Sequence, residues 1–321
     1  MKAIVYRNYG SPDVLCCEEV DTPPPGDDEV LVGVRAASVN PADWHFMRGE
    51  PYLIRAMTGL RKPRDIRFGA DLAGEVKAAG KNVTRFRPGD AVFGSSRGAF
   101  AEYVCANENR LALKPANATF EQAAAAPIAG VTALQGLRDK GRIERGQAVL
   151  INGASGGVGT FAVQIAKSFG ANVTGVCSAR NAALVRSIGA DEVIDYTIED
   201  FTRSTRRYDL ILDCIGNHTL SEYRRVMSPH GTYVGVGGPA GGWLKPMVLP
   251  LKSVVLTRLV GQNLMSLLAR VNRDDLIVLK EMIEAGTIVP VIDKRFTLFA
   301  VPVAIRYLET GHARGKVVIN P

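Results

Sequence analysis

"LINGASGGVGTFAVQIAKSFGANVTGVCSARN", Leu150 to Asn181, decides the fold of this chain. With the two residues before it, it opens on "AVLIN", a continuous apolar run of the kind expected of a parallel strand buried on both faces. The run turns through Ala154-x-Gly156-x-x-Gly159, with Gly157 as an additional glycine. Beyond the turn Val158, Phe161, Ala162, Ile165, Ala166 and Phe169 recur on a single face of a predicted helix, and "NVTGVC" gives a second strand. Strand, glycine turn and amphipathic helix are the context in which such a loop cradles a dinucleotide pyrophosphate. Alanine stands in for the usual first glycine, where a small residue suffices for the tight turn. Gly156 lets the backbone approach a phosphate, and Gly159 lets the helix pack closely on the strand. The phosphate charge then faces a helix N-terminus, whose free N–H groups and dipole favour it. Ala154, Ser155, Gly156, Gly157, Val158 and Gly159 are therefore candidate cofactor contacts.

The end of the second strand selects the nucleotide. An NAD site places Asp or Glu there, to hold the ribose 2′-hydroxyl. This chain has Cys177-Ser178-Ala179-Arg180. No carboxylate in that run repels a 2′-phosphate, Ser178 can donate a hydrogen bond to it, and Arg180 can pair with its charge. The expected cofactor is NADPH. The competing reading of Arg180 is that it opens a surface helix and points to water.

Working outward, strands and helices alternate from Gln147 on: "AALVRSIG" helix, "EVID" strand, "DLILDCI" strand, "SEYRRVM" helix, "TYVGVG" strand. That alternation implies a parallel sheet with helices on both faces. The first third reads as β, with "AIVY", an alternating strand presenting Val30, Val32 and Val34, then "DLAGEVKAAG" and "DAVFG" between Gly and Pro-Gly-Asp turns. Short strands at this spacing suggest a partly open barrel. The character changes near Asn117, where "TFEQAAAAPIAGVTALQGLRD" is helix-like and Thr119 with Gln122 fits a capping box. "LIVLKEMIEAGTI" is helical, and "AVPVAIRYLETGHARGKVVIN" gives a helix and a last strand. The expected division is a first domain over residues 1–120, completed by a tail over 268–321, and a nucleotide-binding domain over 121–267.

The bulk properties narrow the class. The chain has 321 residues, 46% hydrophobic and 22% charged, enough for two packed domains. Several of the cations behind its net charge of +7 fall at Arg48, Arg55, Arg61, Lys62, Arg64 and Arg67. A solvated basic loop is the expectation, with no nucleic-acid partner. "MKAIVYRNYG" has no signal-peptide core, and the longest apolar run contains Pro127 and Gly130 and is too short to span a bilayer, so no membrane partner is expected. Cys16, Cys17, Cys105, Cys177 and Cys214 are odd in number with no CxxC pair, which points to reduced thiols and a cytoplasmic location.

At this point the chain resembles the zinc-free quinone oxidoreductase branch of the medium-chain dehydrogenase/reductases. The likeness rests on "AASVNPADW", "GADLAGEV", "RPGDAVFG", "AAAAPIAGVTAL", "INGASGGVG", "GADEVIDY" and "GKVVI", spread over nearly the whole chain. It implies an α/β protein with a GroES-like partly open β-barrel domain and a Rossmann doubly wound parallel-sheet domain, acting as a homodimer. Zinc-dependent relatives carry ligands at positions matching Asn40, Ala70 and Ile128 here, none of which supplies a suitable donor, and His45, His218, His230 and His312 have no ligand spacing. No metal is expected. Without a cation to polarise a carbonyl, acceptors that are already electrophilic, quinones and α,β-unsaturated carbonyls, are the expected substrates.

The resemblance also implies site residues. Asn40 and Asp43 lie near the nicotinamide, and Tyr52 is the hydroxyl donor to the substrate oxygen. Thr132, Tyr196, Cys214, Ile215, Gly216, Val236, Gly237 and Lys316 touch the cofactor. Asn40 is otherwise a turn residue before Pro41, Tyr52 a loop aromatic packed on the barrel, and Cys214 a small buried residue. An enoyl-thioester reductase of the same superfamily is the rival reading, since it too uses a tyrosine shortly after "NPAD", although Tyr52 falls one residue late with Pro51 in its place. A zeta-crystallin-like nucleic-acid-binding or structural role is the alternative of another class, but no basic stretch is interleaved with aromatics for base stacking.

Overall fold

Ala148–Asn152, the strand that opens the glycine loop, lies third in a six-stranded sheet of order Glu192–Asp195, Asn172–Cys177, Ala148–Asn152, Tyr208–Asp213, Met227–Gly235, Asn263–Ser266. Every neighbouring pair in it is parallel. Val149, Leu150 and Ile151 are fully buried, as a strand covered on both faces requires. From Ala148–Asn152 the chain builds first to one side of the sheet and then, with Tyr208–Asp213, to the other. The reversal puts the glycine loop at the carboxyl end of the strands at a switch point, where ligands bind in sheets of this kind. The structure, a computed structural model, describes residues 1–236 and 261–321.

The helix after the loop is Gly157–Ser168. The sequence predicts one apolar face, but everything from Gly159 to Ala166 is buried. Burial of the polar positions is tolerated because they turn onto the helix itself. Thr160 Oγ1 donates to Gly157 O at 3.2 Å and Gln164 Nε2 to Thr160 O at 2.9 Å. The helix-like stretch after Thr119 forms Phe120–Ala124, Pro127–Leu134 and a π-helical turn, Gln135–Lys140, the first break falling where Pro127 has no N–H to continue the ladder. The capping box is present, with Thr119 N–H donating to Gln122 Oε1 and Gln122 N–H to Thr119 Oγ1.

The described chain divides into two compact units, Met1–Val131 with Arg270–Pro321, and Thr132–Ala269. The boundary thus falls inside the Pro127–Leu134 helix, past the composition change near residue 120. The first unit is built on Glu29–Val39, which pairs with Asp71–Ala79 along one side. Its other side is shared, Ala37 to Val39 pairing with Lys316–Asn320 and Glu29 to Gly33 with Tyr103–Asn107. Register shifts at Leu31/Val32 and Val34/Ala36 add twist, so one long strand serves a sheet that bends around it. Ile292–Thr297 adds a parallel edge beside Lys316–Asn320, and Lys2–Tyr6 with Leu15–Glu19 forms a separate hairpin. Val30, Val32 and Val34 face the core as the alternation predicts. Among the described residues no helix is long and apolar enough to cross a membrane.

Candidate functional site

In the second unit the residue that makes the tight turn is Gly153, not Ala154. Its φ of 83° lies in the left-handed region, and its N–H and that of Ala154 both donate to Val176 O, at 3.2 and 3.0 Å. A Cβ on Gly153 would sit 2.8 Å from Ile215, so the loop is pressed against the turn that ends the neighbouring strand. Ala154 is fully buried behind the loop, and Ser155 is buried too. Gly156 caps the helix without a side-chain cap, which leaves the first-turn N–H groups of Gly157, Val158 and Gly159 without side-chain partners. A Cβ at Gly156 would meet only Gly153 O, at 3.4 Å, whereas one at Gly159 would lie 2.1 Å from that oxygen and 2.8 Å from the Ala154 backbone. One glycine therefore keeps a surface clear and the other permits close packing. This cradle fits a pyrophosphate.

The strand ends complete the site. Ser178 is half-buried and Arg180 exposed. Tyr196 N–H donates to Cys177 O at 3.2 Å, which holds its backbone at this strand end, and its side chain is exposed. Asp195 also approaches this strand end, but Thr197 N–H at 3.0 Å and Thr197 Oγ1 at 2.8 Å hold its carboxylate, and these bonds keep it below the usual carboxylate range. Asn181, absent from the sequence-based set, ties the strand end to the glycine loop through Nδ2 donating to Ser155 Oγ at 3.0 Å. Asp213 is the other absentee. Fully buried at the end of its strand, it accepts from Asn152 Nδ2, from the N–H groups of Ile215 and Gly216, and from Tyr233 OH, at 2.8–3.0 Å. It therefore fixes the Cys214–Gly216 turn. Burial and the Asp213 charge push the Cys214 thiol up, so it stays protonated. Val236 N–H donates to Asp213 O at 2.9 Å. Thr132 is buried in the Pro127–Leu134 helix, and Gly237 lies outside the described residues.

In the first unit the structure gathers a buried ionic cluster. Asp71 Oδ2 accepts from Asn40 Nδ2 at 2.9 Å, Ser38 Oγ at 3.1 Å and Lys316 Nζ at 3.5 Å, while Oδ1 accepts from Ile128 N–H at 3.1 Å. Lys316 Nζ also donates to Asn40 Oδ1 at 2.5 Å and Val39 O at 3.0 Å. Its three donors thus have three acceptors inside this unit, where the resemblance implies a reach to the cofactor. Burial raises the Asp71 carboxyl and lowers the Lys316 ammonium, and each is opposed by the other's charge. Two of the three positions matched to zinc ligands hydrogen-bond into this cluster. Asn40 and Ile128 hydrogen-bond to Asp71, and Ala70 offers only a methyl group. Asp71 itself escapes a sequence reading, because the cluster joins strands far apart in the chain through the Ser38–Asp71 and Val39–Val317 pairings.

Asn40 is not merely a turn residue. It starts the helix Pro41–Arg48, and Asp43 Oδ2 accepts its N–H at 2.7 Å. Burial, with Asp71's charge adding to it, pushes the Asp43 carboxyl up to about 7. A raised folded-state value means that protonated Asp43 stabilises the fold at low pH and that this contribution is lost as pH climbs from the unfolded value of 3.8 toward 7. Wild-type stability measured against Asp43→Asn should therefore fall by about 1.4 kcal/mol per pH unit through that window. Denaturant unfolding at pH 5, 6 and 7 reads it, and a pH-independent difference would contradict it. Tyr52 stands apart from the cluster. It is 59% exposed, and its ring lies under the Arg55 guanidinium, 4.7 Å from centroid to Cζ.

A family model described as the alcohol dehydrogenase GroES-like domain matches residues 26–116, and one described as zinc-binding dehydrogenase matches residues 188–319. The solved structure of the quinone oxidoreductase from Coxiella burnetii superposes with a TM-score of 0.89 at 30% identity, covering 100% of this chain and 99% of that one. The chain belongs to the quinone oxidoreductase branch of the medium-chain dehydrogenase/reductases. Within the superfamily it is 34% identical to the mitochondrial NAD(P)H oxidoreductase RTN4IP1 of Mus musculus, over 100% of this chain and 89% of that protein. It is also 34% identical to the 2-methylene-furan-3-one reductase of Solanum lycopersicum, over 100% of this chain and 79% of that protein. This quinone oxidoreductase relative is thus an oxidoreductase of nicotinamide type, and its uncapped glycine-loop helix has the form such a cofactor requires.

Proposed function

We propose that this chain is an NADPH-dependent reductase of quinones and α,β-unsaturated carbonyls, working without a metal ion. The observation that carries the nucleotide preference is the strand end at Cys177, where a half-buried hydroxyl and a free guanidinium stand in place of an acid, and where Asp195 is held by its own turn. Gly156–Gly159 would hold the pyrophosphate, Ser178 and Arg180 the 2′-phosphate, and Tyr196 the adenine side. When bound, the nicotinamide supplies a hydride to an electrophilic carbon. The chain's own residues would hydrogen-bond the oxygen on which charge develops and supply the proton. Asp43, still protonated near neutrality, is suited to that second role, with Asn40 holding its orientation. The choice of acceptor follows from the donor set at Asn40, Ala70 and Ile128. It has no thiolate or imidazole, so an acceptor that needs no Lewis acid is favoured.

Arg180→Glu is expected to raise the Kd for NADPH by about 100-fold, roughly two charge-assisted contacts' worth, while changing that for NADH by less than about threefold. Fluorescence titration with both nucleotides tests this, and equal losses for the two would remove the 2′-phosphate assignment. A second reading, enoyl-thioester reduction, is favoured by one observation. Among the described residues Arg61, Lys62 and Arg64 have no ion-pair partner and could meet the phosphates of an acyl-CoA. NADPH oxidation with crotonyl-CoA beside 9,10-phenanthrenequinone separates the two.

A further inference from the structure

A small cavity of about 140 Å³ lies wholly within the first unit, lined by Tyr6, Asp43, Phe46, Arg67, Phe68, Gly69, Ala70 and Arg97. Three aromatic rings, Tyr6, Phe46 and Phe68, form part of its wall, and polar groups facing it lack hydrogen-bond partners among the described residues. Tyr6 is only 4% exposed, and among the described residues its hydroxyl has no hydrogen-bond partner. Burial pushes that phenol up to about 12, so it remains a donor. Asp43 is equally buried, and only its Oδ2 accepts a bond, leaving Oδ1 unused. Arg97, at the solvent side, makes no side-chain hydrogen bond among the described residues either. Its nearest charge is Asp65 at 3.7 Å, and that carboxylate is already gripped at both oxygens by Arg67, at 2.9 and 2.7 Å. Two guanidinium groups thus share one carboxylate, which leaves a positive charge uncompensated at the rim. The Arg97 guanidinium lies over the Phe46 ring, 5.9 Å from its centroid, in contact with the apolar wall.

A buried phenol without a hydrogen bond among the described residues, a buried carboxyl with one oxygen unused and a rim cation that shares its carboxylate with a second guanidinium surround one space, and they describe a ligand with a carbonyl at one end and an anion at the other. We infer that this cavity binds a small α,β-unsaturated carbonyl bearing a carboxylate, with the carbonyl oxygen at Tyr6 and Asp43 and the carboxylate at Arg97. The inference rests on the reductase reading above and narrows its acceptor class. The volume is close to the ~150 Å³ that takes up a benzene ring, which suits an acceptor of about that size. The reaction balances as hydride addition to the β-carbon of the C=C bond, followed by proton addition to the α-carbon of the resulting enolate. NADPH is oxidised to NADP⁺, the C=C bond is reduced, and one proton is taken up.

The test compares trans-4-oxo-2-pentenoate with neutral 3-penten-2-one, in which a methyl replaces the carboxylate. In the wild type kcat/KM should favour the anion by about tenfold, the value of one charge-assisted contact at a partly exposed site, and the advantage should shrink in 0.5 M salt. Arg97→Gln should bring the ratio toward unity through KM for the anion, and Arg97→Lys should restore part of it. No preference in the wild type, or an equal loss for both acceptors in Arg97→Gln, overturns the inference. Binding of 4-oxopentanoate, which has no C=C bond to reduce, is read separately by calorimetry. If neither enone is turned over but 4-oxopentanoate binds about tenfold more weakly to Arg97→Gln, the reductase reading fails and the anion pocket stands. If 4-oxopentanoate does not bind the wild type, the pocket assignment fails whatever the enzyme reduces.

Discussion

Gly156→Ala should abolish most nucleotide binding while leaving the fold intact, and Gly159→Ala should damage both. The two glycines sit three residues apart in one loop, but an added methyl meets different surroundings. At Gly156 the backbone is extended, with φ −82°, and the new Cβ would meet only Gly153 O at an ordinary 3.4 Å. Among the described residues nothing resists it. The methyl would instead occupy the face across which a pyrophosphate must approach the first-turn N–H groups. A lengthening of those bonds costs on the order of 3 kcal/mol, or about 100-fold in Kd for NADPH and NADH alike, with the unfolding midpoint unmoved. At Gly159 the Cβ would fall 2.1 Å from Gly153 O, so helix and strand end must move apart. That substitution should lower stability by about 2–3 kcal/mol, as overpacking against backbone does, in addition to weakening the nucleotide. Nucleotide titration beside chemical denaturation distinguishes the two. A stable Gly159→Ala variant with normal binding would show that the close approach is not needed. Unimpaired binding in Gly156→Ala would place the phosphate elsewhere.

The loop was legible because it is local. An apolar run, small residues and an amphipathic repeat stand next to one another in the chain, and their physics needs no distant partner. Even so, the periodic reading misplaced the turn. It took Ala154 for the degenerate first glycine, whereas Gly153 carries the positive φ. The residues that brace the site were harder to see for a different reason. Asp213 and Asn181 act through side chains that meet groups from other strands, Asn152 and Tyr233 in one case and Ser155 in the other. Spacing along the chain holds no trace of these contacts.

The same distinction explains the first unit. Pro41–Arg48 escapes the sequence reading, which takes Asn40 as a turn residue or a site residue, although Asn40, Pro41 and Asp43 form a helix start with proline at the first position and an acid at the third that accepts the Asn40 N–H. Asn40's side chain also joins Asp71 and Lys316, so the helix start is tied to the buried cluster. Ile292–Thr297 escaped because "IDKRFT" is polar, as suits an edge strand, and lacks the alternation of a half-buried one. Asp71 reads in the sequence as one acid among many. Its meaning depends on Lys316, which the barrel's strand pairing alone brings within reach.

That dependence makes Asp71 and Lys316 the site of the largest expected loss of stability. Both side chains are essentially buried, 0% and 3% exposed on the side-chain scale, so neither charge can turn to water when its partner is removed. Asp71→Leu leaves the Lys316 ammonium with only neutral acceptors, Val39 O and Asn40 Oδ1, and frees donors on Ser38, Asn40 and Ile128. Removing one member of such a pair costs about 3–5 kcal/mol. Lys316→Met should cost less, since Asp71 keeps three neutral donors and can also take up a proton. This gives the variants opposite pH responses. In Lys316→Met the unpaired Asp71 has a folded-state value raised further above its unfolded one, so stability is greatest at acid pH and is lost as pH rises through the raised value. In Asp71→Leu the unpaired Lys316 is depressed further, so stability improves as pH rises through the depressed folded value toward the unfolded lysine value, because the neutral amine is the form the interior accepts. The double variant, with two apolar side chains facing each other, should be more stable than Asp71→Leu alone and lose the pH response of both. Denaturant unfolding of the four proteins between pH 5 and 9 reads all of this. A double variant whose loss equals the sum of the singles would mean that the two residues act independently, and that the cluster is not held together by their charges.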